Sequence, residues 1–164
     1  MPVLKILQYP DPVLREKSHD IESIREEERA LINDLIDTMR SSKGVGLAAV
    51  QVGVLKRIVA VDRTPENPGH GLIVLANPVI TESSGLKTVR EGCLSIPQYL
   101  ADIKRKERIT VRGLDFKGEP VAIESSGLLS VALQHEIDHL DGILFIDRIE
   151  GVRGLLKRKV RGKN

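Results

Sequence analysis

His135-Glu136-Ile137-Asp138-His139 constrains this chain more than any other stretch, because two imidazoles four residues apart, with a carboxylate between them, can share one metal ion if their segment is helical. In an α-helix four residues advance about 6 Å and turn about 400°, which brings both rings out of one face a turn apart. Glu136 then projects about 100° round the axis from His135. It can reach a water at the metal without being a ligand, the arrangement of H-E-x-x-H hydrolases. The stretch predicts a helix that carries two ligands and a general base together. Its bland competitor is a pair of ordinary, partly buried helical histidines.

The third ligand is less legible. A metzincin would place another histidine at position 145 after a glycine at 142; Gly142 is present, but position 145 is Phe145. The only other histidines are His19 and His70, so the choice lies among them, a carboxylate and the single thiol, Cys93. One cysteine excludes an intramolecular disulfide and fits a reducing compartment. A lone cysteine is often just a small buried hydrophobe. The setting Glu91-Gly92-Cys93-Leu94-Ser95-Ile96-Pro97 makes this one a candidate ligand, because glycine allows close backbone approach and proline is expected to end regular pairing.

Three segments together resemble one family. Gly44-Val45-Gly46-Leu47-Ala48-Ala49-Val50-Gln51, Glu91-Gly92-Cys93-Leu94-Ser95 and Gln134-His135-Glu136-Ile137-Asp138-His139-Leu140-Asp141-Gly142 look like the three signature motifs of the peptide deformylases, in order and rough spacing. Length and tail look like the bacterial type 1 form. The resemblance implies that Cys93, His135 and His139 hold one divalent metal with a fourth position open to water. The native ion would be Fe(II), with Zn, Ni or Co possible, since ligand type alone does not separate them. The metal would lower the pKa of water toward about 7. Glu136 would act as general acid and base, and the Gln51 amide with the backbone N–H of Leu94 would stabilise the oxyanion.

By the same resemblance the substrates are N-formylmethionyl peptides, which release formate. Gly44, Val45 and Gly46 match a segment that pairs with an extended peptide. Val45, Val89, Leu128, Val131 and Ala132 match positions lining a methionine pocket, and Glu91 matches a polar residue beside it. Each of these is equally explained as core. The family often has arginine at a rim position that is Leu100 here. A cytoplasmic, bacterial setting is implied.

The rest of the chain reads as one domain over 1–164. With 41% hydrophobic residues it can fill a single core, and no repeat or low-complexity tract divides it. The first twenty residues read as an extended arm without the apolar run of a signal peptide, and no stretch is long enough to span a bilayer. Ser23 and Glu26 form a capping-box pattern, and Ile24, Leu31, Ile32, Leu35, Ile36 and Met39 recur at helical spacing, predicting a first helix near 23–42 ended by Gly44. Strands are predicted at 57–62, 72–80, 86–91, 108–116 and 121–125. The metal-binding helix is predicted at 127–141, capped by Ser125 or Ser126 and stopped near Gly142. Helices that flank the strands instead of alternating with them predict an α+β fold: mainly antiparallel sheets around a central metal-binding helix, with an N-terminal and a C-terminal helix.

That C-terminal helix is expected over about 147–162. Residues 151–164 carry Arg153, Lys157, Arg158, Lys159, Arg161 and Lys163 and no acid, although the whole chain is only +2. Ile149, Val152, Leu155, Leu156 and Val160 would form an apolar stripe beneath the charges. A solvated helix face explains this pattern; the family resemblance adds ribosome contact through rRNA phosphates. Only four aromatics argue against base stacking on single strands. Two other functions compete: a metalloprotease with a carboxylate such as Glu150 as third ligand, and a non-enzymatic RNA- or ribosome-binding module with a structural metal.

Overall fold

The fold follows from where long apolar runs can be covered on both sides. A computed structural model describes residues 3–62 and 71–150, together with the backbone of 155–157. After the N-terminal arm, α1 spans Glu26–Ser41, β1 Gly46–Ala48, β2 Ile58–Asp62, β3 Leu72–Ser84, β4 Lys87–Cys93, β5 Ile96–Arg105, β6 Arg108–Leu114, β7 Pro120–Ser126, α2 Gly127–Leu140 and β8 Leu155–Lys157. Short 3-10 turns occupy Pro12–Arg15, Ala49–Val52 and Phe145–Arg148.

A five-stranded sheet, ordered β1-β2-β3-β6-β7, is antiparallel throughout. All five residues of β2 are buried. Alternate side chains serve opposite faces: Val59 and Val61 join Leu133, Ile137 and Leu140 of α2, while Ile58 and Ala60 join Ile32, Leu35 and Met39 of α1. One helix thus covers each face. The second sheet, β4-β5-β8, is also antiparallel and packs Ile96, Ala101 and Ile103 with Leu14, Leu144 and Phe145. This is the α+β architecture with antiparallel sheets and a central helix.

α2 is buried from Ser130 through Leu140, polar residues included. Such a helix must lie in an interior, not on a surface. Its apolar residues meet the large sheet, and its polar ones meet β4 and β5 through contacts described below. The arm is stitched across these elements: the Leu7 N–H donates to the Gln51 carbonyl, Tyr9 to Ser95 and Ser18 to Leu140.

Several expectations need correction. The first helix starts later than Ser23, because Glu28 accepts the Arg25 backbone N–H at 3.0 Å; the Ser23 hydroxyl accepts from Arg25 Nε instead. At its other end the left-handed residue is Lys43, φ 56°, not Gly44. Ser126 caps α2 by position, with no side-chain cap bond. β5 was not foreseen, and Pro97 does not end pairing. It is the second residue of β5, outside the stretch that β8 pairs with, where a missing N–H costs no bond to that neighbour.

The expected C-terminal helix is replaced where the chain is described. Phe145–Arg148 is a 3-10 turn, and Leu155–Lys157 pairs as β8 with Ala101, Leu100 and Tyr99. Gly151 and Gly154 weaken a helix there, whereas the free edge of β5 offers unpaired backbone groups that a strand satisfies. The rest of the basic tail, 151–154 and 158–164, and His70 lie outside the described residues.

Gly142 ends α2 with φ +74°, and a Cβ there would stand 2.5 Å from the Arg15 carbonyl oxygen. Gly142→Ala is therefore expected to lower stability by about 2 kcal/mol. A urea midpoint shift at unchanged m-value is the readout.

Candidate metal centre and catalytic cavity

α2 sets His135 and His139 one turn apart, with ring centroids 5.0 Å from one another and planes at 70°. Cys93 reaches them from the last residue of β4, where the chain reverses through Leu94 and Ser95 into β5. The Cys93 Sγ lies 3.3 Å from His139 Nε2. One ligand atom from each of Cys93, His135 and His139 falls within 4.8 Å of the others, and all three residues are buried. His139 Nδ1 and Glu136 Oε1 are buried without a hydrogen-bond partner. Three convergent donors of thiolate and imidazole type beside an unpaired carboxylate fit a divalent transition ion. The alternatives do not converge: His19 is exposed at a bridge with Lys56, and Glu150 pairs with Lys104 at 3.1 Å on the surface.

His135 is oriented by its second nitrogen. Glu91 Oε1 sits 2.8 Å from His135 Nδ1, which leaves Nε2 for the metal. Glu91 in turn accepts from Arg105 Nε at 2.6 Å and from a second guanidinium nitrogen at 2.9 Å. Burial alone would raise the Glu91 pKa, but the hydrogen bonds from Arg105 and His135 overcome it and hold it at about 2. Glu91 borders the cavity as expected, yet its carboxylate is consumed by these partners. That contact fixes the direction of the His135 ring. Arg105 also donates to Asp138 at 2.6 Å, so a single buried guanidinium bridges two carboxylates.

Glu136 has the opposite environment. Burial pushes its pKa up to about 7, with His135 pulling it down and Glu91 and Asp138 adding to the rise. A carboxyl group with that pKa exchanges protons readily at neutral pH. Backbone presses against it: a Cβ on Gly46 would stand 2.5 Å from Glu136 Oε2, so only glycine leaves the carboxylate its space.

A cavity of about 460 Å³ opens over this cluster. Its lining includes Gly44, Val45, Gly46, Gln51, Val89, Glu91, Cys93, Leu94, Leu128, Val131, Ala132, His135 and Glu136, so the candidate site residues meet at one place, with His139 buried just behind. Leu128 is 55% exposed and Val45 37%, so both stand at the mouth; Val131 and Ala132 are buried within. Leu100 does not line the cavity and pairs with β8 instead. Gln51 accepts the Ala48 N–H at 2.9 Å through Oε1 and donates to Ser95 Oγ at 3.0 Å. That network fixes the amide with its NH2 toward Cys93 Sγ, 3.7 Å away.

Ser95, Arg105 and Asp138 were missed from sequence. Arg105 continues the inward alternation of Ala101 and Ile103 along β5, a signal visible only once β5 is known to be a strand.

A ligand triad reachable from one side, beside a carboxyl group that titrates near neutrality, suits hydrolysis by activated water and defines a metallohydrolase of the H-E-x-x-H type. Known proteins narrow the class. The family model described as polypeptide deformylase matches residues 3–154. The chain belongs to that family of metalloenzymes, and its reaction is removal of the formyl group from nascent peptides. A peptide deformylase of Thermodesulfovibrio yellowstonii is 51% identical over 159 residues, covering 97% of this chain and 96% of the relative. The crystal structure of a peptide deformylase from Legionella pneumophila superposes with a TM-score of 0.87 at 43% identity, over 91% of this chain and 87% of that one. A Synechococcus elongatus peptide deformylase in complex with actinonin gives 0.88 at 40% identity, over 92% and 82%.

The folded-state pKa of Glu91 is depressed, so its contribution is full above the ordinary value of 4.5 and is lost as pH falls toward about 2. Unfolding free energies measured across that window should fall more steeply for the parent than for Glu91→Gln. Arg105→Met, which removes the guanidinium from buried Glu91 and leaves Asp138 to Arg148 alone, should cost about 3–5 kcal/mol at neutral pH.

Proposed function

We propose that Cys93, His135 and His139 hold one divalent ion and that Glu136 moves the protons of deformylation. The convergence of these three ligand atoms at the floor of a cavity beside the unpaired Glu136 carboxylate carries the reading. The bound ion supplies Lewis acidity, which polarises a carbonyl and acidifies water. Glu136 takes the proton of the attacking water at its carboxylate and returns it to the departing amine, a cycle suited to a pKa of about 7. The Gln51 NH2 and the Leu94 N–H stand as donors to the developing oxyanion, where losing one typically costs about 3 kcal/mol.

Main-chain pairing suits substrates of many sequences. β1 and β4 are edge strands of their respective sheets, and both border the cavity. An extended peptide can add to the free edge at Gly44, Val45 and Gly46, while Val89, Leu128, Val131 and Ala132 surround its first side chain. Burying an unbranched methionine chain there contributes about 2–3 kcal/mol. The occupant proposed is therefore the N-formylmethionyl end of a peptide. Glu91 is assigned to hold His135 and not to read substrate.

Ferrous iron is the proposed native ion, with zinc, nickel or cobalt able to replace it. A reducing cytoplasm suits a thiolate ligand; among the described residues no helix is long and apolar enough to cross a membrane. Formate release from formyl-Met-Ala-Ser by anaerobically loaded protein tests the assignment. Glu136→Ala should keep metal and lose at least a hundredfold in turnover, and the iron form should lose activity in air faster than the nickel form through oxidation at Cys93. Cys93→Ser that retains full metal and activity would refute the ligand set.

Ribosome contact through the basic tail is proposed from charge alone: six cations and no acid over 151–164. Because β8 closes the edge of β5, neutralisation is a better probe than truncation. Replacing Arg158, Lys159, Arg161 and Lys163 by glutamine should weaken co-sedimentation with ribosomes and flatten its dependence on salt.

A further inference from the structure

We propose that Arg148 is a positioning residue for the metal centre, acting on the ligand His135 through Asp138, Arg105 and Glu91. The inference rests on the metal assignment above and extends it to a side chain outside all three signature motifs. Arg148 Nε and a terminal nitrogen reach the two oxygens of Asp138 at 2.6 and 2.7 Å. Asp138 Oδ2 also accepts from Arg105 at 2.6 Å, Arg105 grips Glu91 through two bonds, and Glu91 meets His135 Nδ1 at 2.8 Å. Charges alternate along the chain from ligand to surface. Two carboxylates face two guanidinium groups, and Arg148, with 41% of its side chain exposed, is the outer end.

Without Arg148, Glu91 and Asp138 compete for Arg105 alone. Arg105 and Glu91 are buried, so solvent does not replace the missing cation there. The guanidinium of Arg105 is drawn toward Asp138, and the carboxylate that sets the tautomer and direction of His135 loosens.

The 3-10 turn that carries Arg148 touches the same ligand a second time. Phe145 stacks on the His135 ring, with centroids 6.3 Å apart and planes at 26°. The turn is itself tethered: Asp147 accepts the Leu144 N–H at 2.9 Å and forms a two-point ion pair with Arg15 of the arm. One short segment therefore sets the ring by packing and its partner by charge. Both contacts come from chain that follows the third motif.

Cobalt-loaded parent, Arg148→Met and Arg148→Lys separate this role from simple stability. Arg148→Met is expected to shift the visible cobalt bands, release cobalt to a chelator about tenfold faster, and lower kcat for formyl-Met-Ala-Ser with KM unchanged. Arg148→Lys, which keeps the charge but not the two-point grip, should fall between. In the double variant with Asp138→Asn, cobalt release should be no faster than in the worse single variant, because both act along one route. A lowered urea midpoint with parental cobalt bands and release rate in Arg148→Met would overturn the proposal, as would effects that multiply in the double variant. Absence of a thiolate-to-cobalt band in the parent itself would overturn the metal assignment and this inference with it.

Discussion

Burial of a polar helix face is the constraint on which the molecule depends. From Ser130 to Leu140 α2 offers water almost nothing, yet it carries Gln134, His135, Glu136, Asp138 and His139. Each buried polar group without a partner costs on the order of 1–3 kcal/mol, and more if charged. The neighbours are built to prevent that loss. Gln134 closes on the Lys106 backbone through both ends of its amide, at 2.9 and 2.8 Å, and Arg105 from the same strand end answers Asp138 and Glu91. β5 is therefore tied to α2 by polar matching, while its apolar side chains pack with Leu14, Leu144 and Phe145.

The exceptions to that matching are the informative ones. Glu136 Oε1 and His139 Nδ1 remain unpaired in a region where almost everything else is paired. Two carboxylates that border one cavity, from β4 and from α2, have opposite electrostatic environments. Glu91, bonded to Arg105 and His135, is held ionised with a pKa of about 2, whereas burial, outweighing the pull of His135, lifts Glu136 to about 7. Residue type does not distinguish them; the hydrogen bonds that Glu91 receives and Glu136 Oε1 lacks do.

Legibility followed the range of the interactions. The spacing of His135 and His139 implied a helix because that inference needs only local geometry, and α2 begins at the expected Gly127. β2 and β7 were readable from short β-branched runs. β5 was not: Pro97, Asp102, Lys104 and Arg105 resemble a polar loop until β4 and β8 supply its pairing on both edges. The tail misled for a related reason. Apolar residues three and four apart suit a helix, but the adjacent Leu155 and Leu156 fit a strand as readily, and the open edge of β5 decided in favour of the strand over 155–157.

The order of residues along the chain by itself determined the helix with its two imidazoles and acid, the single thiol, and a glycine at each place where backbone crowds the site. Family motifs carry the chemistry in the sequence, because such motifs record which residue types a reaction needs. Only the tertiary structure decided that Cys93 meets the two rings, that the Glu91 carboxylate meets His135, and that Arg105 and Asp138 join that network. Those facts depend on side chains far apart in sequence sharing one low-dielectric volume, where distance sets both charge and hydrogen bonding, and distance is a property of the folded chain.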